Sequence, residues 1–156
     1  AGERAMVVGA TPGHNAAELL VSAWELVGTE LLVQSQPSAL AQRLIIRLCP
    51  DCCTPASVLP NQQIAGWDFS GEFHAATGCD TCQFTGRVGK VGLHQWIGFS
   101  EGLANTLRET RNAGELRERL QSLIPSFAEL ALEKAKAGET TLEQVIELIH
   151  EEQSNG

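Results

Sequence analysis

Four of the five cysteines fall into two C-x2-C pairs, Cys49-Pro50-Asp51-Cys52 and Cys79-Asp80-Thr81-Cys82, with 26 residues between them. Zinc takes four thiolate or imidazole ligands in a tetrahedron. A C-x2-C turn delivers two sulfurs from one tight loop, and the amides that follow can hydrogen-bond them. The spacing predicts one structural zinc held by Cys49, Cys52, Cys79 and Cys82, with the two knuckles on different hairpins facing each other. Pro50 fixes the first knuckle, while Gly78, Gly86 and Gly89 permit the positive φ angles needed around the second. A catalytic zinc keeps one position open, and four cysteines leave none.

Other chemistry fits the residues less well. A redox-active C-x2-C pair needs a strand-to-helix context that the surrounding turns do not provide. Cys53 follows a ligand directly and reads as a bystander, because the spacing is met without it. His74 could displace a thiolate, although a surface histidine is the commoner case. Gly86-Arg87-Val88-Gly89-Lys90-Val91 briefly resembles a phosphate loop, but that motif requires Gly where Phe84 stands and Ser or Thr where Val91 stands. No G-x-S-x-G, H-E-x-x-H or G-x-G-x-x-G occurs. No catalytic residue is assigned. His14 is the one polar residue set to meet a ligand, against a plainer reading in which Asn15 caps a helix and His14 is exposed.

The elements that must position these residues follow from hydrophobic spacing and capping signals. Ala5-Met6-Val7-Val8-Gly9-Ala10 is a continuous apolar run ending in Thr11-Pro12-Gly13, the pattern of a buried strand and a turn. Asn15 with Glu18 opens a helix carrying Leu19, Leu20, Ala23, Trp24 and Val27 at helical spacing until Gly28. Residues 30–34 suit a short strand, and Leu40–Leu48 suits either a strand or a helix. Between Cys49 and Gly98 periodic hydrophobics give way to Gly, Pro, Cys and single aromatics, so this stretch needs a staple. Four helix starts follow: Ser100, Asn112 with Glu115, Ser126 with Glu129, and Thr140 with Glu143. Their core stripes are Leu116, Leu120, Leu123 and Ile124, then Phe127, Leu130 and Ala131, then Leu142, Val145, Ile146 and Ile149.

The 156 residues carry a formal net charge of -8, and no third of the chain is basic. Nucleic-acid affinity comes largely from clustered Lys and Arg, so a zinc-ribbon nucleic-acid binder has the right metal motif and the wrong charge. Binding to anionic lipid is disfavoured for the same reason. No apolar run reaches the roughly 18 residues of a membrane span. The chain starts at Ala1 without a leader-like segment, which suggests a trimmed piece of a soluble protein. Two C-x2-C pairs fit a reducing, cytoplasmic setting better than a disulfide framework.

Taken in order, these features resemble the C-terminal part of the type II secretion and type IV pilus assembly ATPases. The resemblance runs through Leu40-Ala41-Gln42-Arg43-Leu44, Leu48-Cys49-Pro50-Asp51-Cys52, and Gly78-Cys79-Asp80-Thr81-Cys82 with Thr85-Gly86 and Gly89-Lys90-Val91-Gly92. It closes on Gly138-Glu139-Thr140-Thr141-Leu142-Glu143-Gln144-Val145 and covers nearly the whole chain. It implies an α/β then α organisation. Residues 1–48 would be the tail of a RecA-like ATPase core, 49–98 a four-cysteine zinc-binding subdomain, and 99–156 a C-terminal helical subdomain. It further implies a homo-hexamer of the parent protein on the cytoplasmic side of the inner membrane, meeting membrane-platform and cytoplasmic adaptor proteins. The Walker motifs would lie N-terminal to Ala1, so ATP and Mg belong to the parent and this chain alone is no hydrolase.

Four departures stand out against that family. Gly13 sits where a histidine of the ATPase site is usual, and His14 matches it only after a one-residue shift. The helix from Ala16 to Val27 lacks a usual arginine, Lys90 replaces a usual Arg and Gln95 a usual Glu. They suggest a divergent paralogue. The alternative is a degenerate, non-hydrolysing adaptor within the same machinery.

Overall fold

The computed structural model describes residues 8–10, 13–56 and 66–154. The chain is of mixed α/β type, with six helices and four strands among these residues, and divides into two compact units. Each unit is assembled from two stretches: Ala1–Ala41 with Gln95–Ile124, and Gln42–His94 with Pro125–Gly156. Residues 5–7 of the predicted strand 5–10, and Thr11-Pro12 of its turn, lie outside the described residues. Val8, Gly9 and Ala10 carry no strand structure.

The first unit is mainly helical. Helix α1 (Ala16–Val27) starts where Asn15 predicts, the Asn15 side chain accepting the Glu18 N–H at 2.9 Å. Glu18 reaches back one residue further than a capping box does, its carboxylate accepting the His14 N–H at 2.7 Å. The buried face is Ala16, Ala17, Leu20 and Val21, while Val27 is exposed and Leu19, Ala23 and Trp24 are half-buried. The helix is apolar nearly all round, so spacing alone assigned the wrong edge of that face. Residues 30–34 are not a strand. Gly28, at φ 78°, donates to the Trp24 carbonyl and accepts from the Leu32 N–H, ending α1 and opening α2 (Thr29–Gln34). Trp24 Nε1 donates to Thr29 Oγ1 at 2.8 Å across this junction, and Leu32 and Val33 are buried.

Helices α3 (Glu101–Glu109) and α4 (Ala113–Gln121) begin at Ser100 and Asn112, whose side chains accept the Leu103 and Glu115 N–H groups. α1 packs on α4 and α2 on α3. Leu116 and Leu120 are fully buried, but α4 stops at Gln121, which leaves Leu123 59% exposed and Ile124 only half-buried. The expected four-residue stripe is therefore cut to two.

The second unit contains the strands' inner portions and the C-terminal helix pair. The ambiguous segment is a strand, β1 (Ala39–Leu48), with Ala39, Ala41 and Ile45 buried and Leu40, Gln42 and Leu44 exposed. It forms a two-stranded sheet with β4 (Arg87–Ile97), whose Leu93, Gln95 and Ile97 are buried between exposed His94 and Trp96. That strand escaped the sequence reading because its middle inward position is a glutamine. Gln95 Oε1 accepts the Ala16 N–H at 3.2 Å, tying β4 to the first turn of α1 within the first unit. A short hairpin pairs β2 (Cys53–Ala56) with β3 (Phe73–Ala76), Cys53 opposite Ala76 and Pro55 opposite His74.

Helix α5 (Phe127–Lys136) carries a complete capping box between Ser126 and Glu129. Ala128, Ala131 and Ala135 are fully buried, and α5 packs against α6 (Leu142–Ser154) and β3. Glu152 of α6 accepts the Phe127 and Ala128 N–H groups, where a helix N-terminus favours negative charge. Thr140 is not the cap of α6. Its hydroxyl donates to the Ile46 carbonyl at 2.7 Å, and Thr141 Oγ1 accepts the Gln144 N–H instead. Arg43 lies over the Phe127 ring, 5.4 Å from its centroid, and pairs with Glu151.

Candidate metal centre

The four predicted cysteines converge in the second unit. All four Sγ atoms lie within 4.8 Å of one another, with Cys49–Cys79 and Cys79–Cys82 at 3.8 Å and Cys52–Cys82 at 3.9 Å. Zn–S bonds of about 2.3 Å arranged tetrahedrally put the sulfurs about 3.8 Å apart, the separation that these three pairs show. Cys49 and Cys82 are buried, and Cys52 and Cys79 are half-buried. The set is closed, with no carboxylate or imidazole among its members.

Local backbone chemistry explains how the two knuckles meet. The first sits between the end of β1 and the start of β2. The second follows β3, where Gln83, Phe84 and Thr85 N–H groups bond back to the Asp80, Cys79 and Cys82 carbonyls. This fold-back requires positive φ at Gln83 (54°) and Phe84 (61°), a conformation that costs non-glycine residues energy. Thr85 secures it, its hydroxyl donating to the Cys82 carbonyl at 2.6 Å.

Gly86 then joins the two knuckles directly. Its N–H donates to Cys82 Sγ at 3.2 Å, and its carbonyl accepts the Cys49 N–H at 2.9 Å. At φ 69° it has no room for a side chain, since a Cβ would come 2.7 Å from the Ala76 carbonyl oxygen. Gly78, at φ 94°, is equally constrained, a Cβ there falling 2.6 Å from the Phe84 carbonyl oxygen.

The electrostatics are uneven. Burial pushes the Cys49 thiol up, and burial reinforced by the neighbouring thiols pushes Cys52 up to about 12. At Cys82 burial opposes ionisation too, but the Cys79 and Gly86 N–H groups outweigh it and hold the thiol down to about 6. The metal-free cluster thus favours its first thiolate at Cys82.

The remaining candidates lie elsewhere. Cys53 is outside the cluster, its Sγ 3.6 Å from the Gly138 carbonyl oxygen. His74 is also outside it and packs against Gly138, where an added Cβ would come within 3.1 Å of the imidazole ring. His14 is exposed. Arg87 through Lys90, the phosphate-loop look-alike, are strand residues of β4. Sequence reasoning missed Thr85 and the bridging function of Gly86. The glycine's presence was legible, but its two hydrogen-bond partners depend on how distant segments meet.

Fold and site together define a class: a mixed α/β protein carrying a closed cluster of four thiols. The chain belongs to the type II/IV secretion system protein family, whose model matches residues 10–147. It is 32% identical over 123 residues to a type II secretion system protein E of Pectobacterium carotovorum subsp. carotovorum, covering 78% of this chain and 25% of that protein. Against the type II secretion system protein E of Aeromonas hydrophila it is 27% identical over 125 residues, with coverage of 78% and 25%. Similarity extends to the type IV pilus assembly ATPase PilB of Myxococcus xanthus, 34% identical over 123 residues, with coverage of 74% and 22%. The chain thus spans about a quarter of the length of these relatives. No helix among the described residues is long and apolar enough to cross a membrane.

Proposed function

We propose that this chain is the zinc-stapled C-terminal region of a motor ATPase that powers type II protein secretion or type IV pilus assembly. The observation that carries the metal part is the convergence of four thiols within 4.8 Å of one another, three of their separations lying at 3.8–3.9 Å, close to a tetrahedral ZnS4 edge. Cys49, Cys52, Cys79 and Cys82 would hold the ion. Its role is structural, coupling the folding of the surrounding lobe to metal binding. The names of the similar proteins support the motor part.

In this reading residues 1–48 are the tail of a RecA-like core, 49–98 the zinc-binding lobe and 99–156 the helical region. ATP and Mg are handled by the parent protein, which works as a cytoplasmic homo-hexamer against an inner-membrane platform and adaptor proteins. The chain by itself does not hydrolyse nucleotide. The test is metal content by inductively coupled plasma mass spectrometry, on protein purified without added zinc or chelator. About one zinc per chain is the expected result. No metal, with two or more cysteines oxidised, overturns it in favour of a redox or disulfide role.

A second reading, a degenerate non-hydrolysing adaptor in the same machinery, draws on Gly13, the absence of arginine from α1, and Gln95. The last is buried and gives α1 a neutral amide oxygen, where the family resemblance suggests a carboxylate. ATP hydrolysis by the full-length parent separates the two: turnover supports the motor, and nucleotide binding without turnover supports the adaptor.

A further inference from the structure

The turn between α5 and α6 grips the first knuckle on both of its flanks. Upstream of Cys49, the Glu139 carbonyl accepts the Leu48 N–H at 3.0 Å, and the fully buried Thr140 donates to the Ile46 carbonyl at 2.7 Å. Gln144, in the first turn of α6, accepts the Ile46 N–H at 3.2 Å. Downstream of Cys52, the Cys53 thiol faces the Gly138 carbonyl and His74 of the paired strand packs on Gly138. Gly138, Glu139 and Thr140 ligate nothing, yet they hold the chain immediately before and after the Cys49–Cys52 loop.

From this arrangement we infer that the Gly138–Thr140 turn presets the first knuckle, so that zinc occupancy and docking of the α5–α6 pair favour each other. The inference rests on the zinc reading above. A knuckle whose two ends are already fixed loses less conformational freedom when its sulfurs close on an ion, which raises affinity without adding a ligand. Linkage makes the effect reciprocal: whatever the docked helices add to metal affinity, the bound metal adds to docking. Thr140 is the positioning residue at the centre of this coupling, because its hydroxyl is the buried donor between the helix turn and β1.

Two measurements on the intact chain test it. The first is zinc affinity, by competition with a chromophoric chelator, for the wild type, Thr140→Val and Thr106→Val. Thr106 makes a comparable hydroxyl-to-carbonyl bond, 2.9 Å to Gly102, on the exposed surface of α3 and serves as the matched control. Thr140→Val should weaken zinc binding by on the order of tenfold, with Thr106→Val unchanged. The second is hydrogen exchange of the wild type with and without zinc, which needs no variant to fold: removing zinc should speed exchange of the α5 and α6 amides. Equal zinc affinities for the two variants, with α5–α6 exchange indifferent to metal, overturn the coupling and leave the zinc site standing. A wild type that binds no zinc overturns the zinc reading itself.

Discussion

Cys79 and Cys53 make opposite predictions from the same side-chain chemistry. Cys79 Sγ stands 3.8 Å from two partner sulfurs, so Cys79→Ser should abolish stoichiometric zinc. Cys53 is outside the cluster, and Cys53→Ser should retain about one zinc per chain in the same mass-spectrometric measurement. The thiol environment also sets a pH dependence. Cys49 is raised by burial and Cys52 lies at about 12, so both are protonated at neutral pH and must release their protons on binding zinc. Each released proton weakens binding tenfold per unit of acidification, so these two thiols alone contribute roughly a hundredfold per pH unit. Competition titrations at pH 6.5 and 7.5 would read this directly. A third prediction concerns Gly86→Ala, which forces Ala to a positive φ and a Cβ against the Ala76 carbonyl; a loss of about 1–3 kcal/mol in chemical denaturation is expected. The four-thiol cluster was legible in the sequence because each C-x2-C pair is local. Gly86's bonds were not, because they link residues on two separate knuckles.

Among the elements, those with explicit boundary chemistry were read best. Ser100, Asn112 and Ser126 each accept the N–H that their position requires, and Gly28 ends α1 as expected. Thr140 failed for a tertiary reason: Thr140 and Thr141 are both competent caps, and the Ile46 carbonyl engages the first of them. Leu-Leu-Val in α2 failed because so short an apolar run suits either period, and the turn at Gly28 decided for helix. β4 failed because Gln95 interrupts its apolar alternation. That same residue carries a prediction, since Gln95→Ala leaves the buried Ala16 N–H without this acceptor. A loss of about 1–3 kcal/mol in thermal or denaturant unfolding is expected, and a change below a few tenths would show the tie to be unimportant.

At the scale of the whole chain, chelation should act on one unit and spare the other. The cysteines, β2, β3, α5 and α6 belong to Gln42–His94 and Pro125–Gly156, whereas α1 through α4 belong to the other pair of stretches. Hydrogen exchange after zinc removal should accelerate in the first group, with the α1–α4 contact retaining its protection. The composite make-up of the unit that holds the four thiols also imposes a timetable on biosynthesis. Cys82 leaves the ribosome about 70 residues ahead of the end of α6, roughly 4–14 seconds at ordinary translation speeds. For that interval all four thiols are present in a nascent chain that still lacks the helices completing their unit. Under the zinc reading, metal and reductant present during synthesis act on the chain before the unit that holds the four thiols is complete.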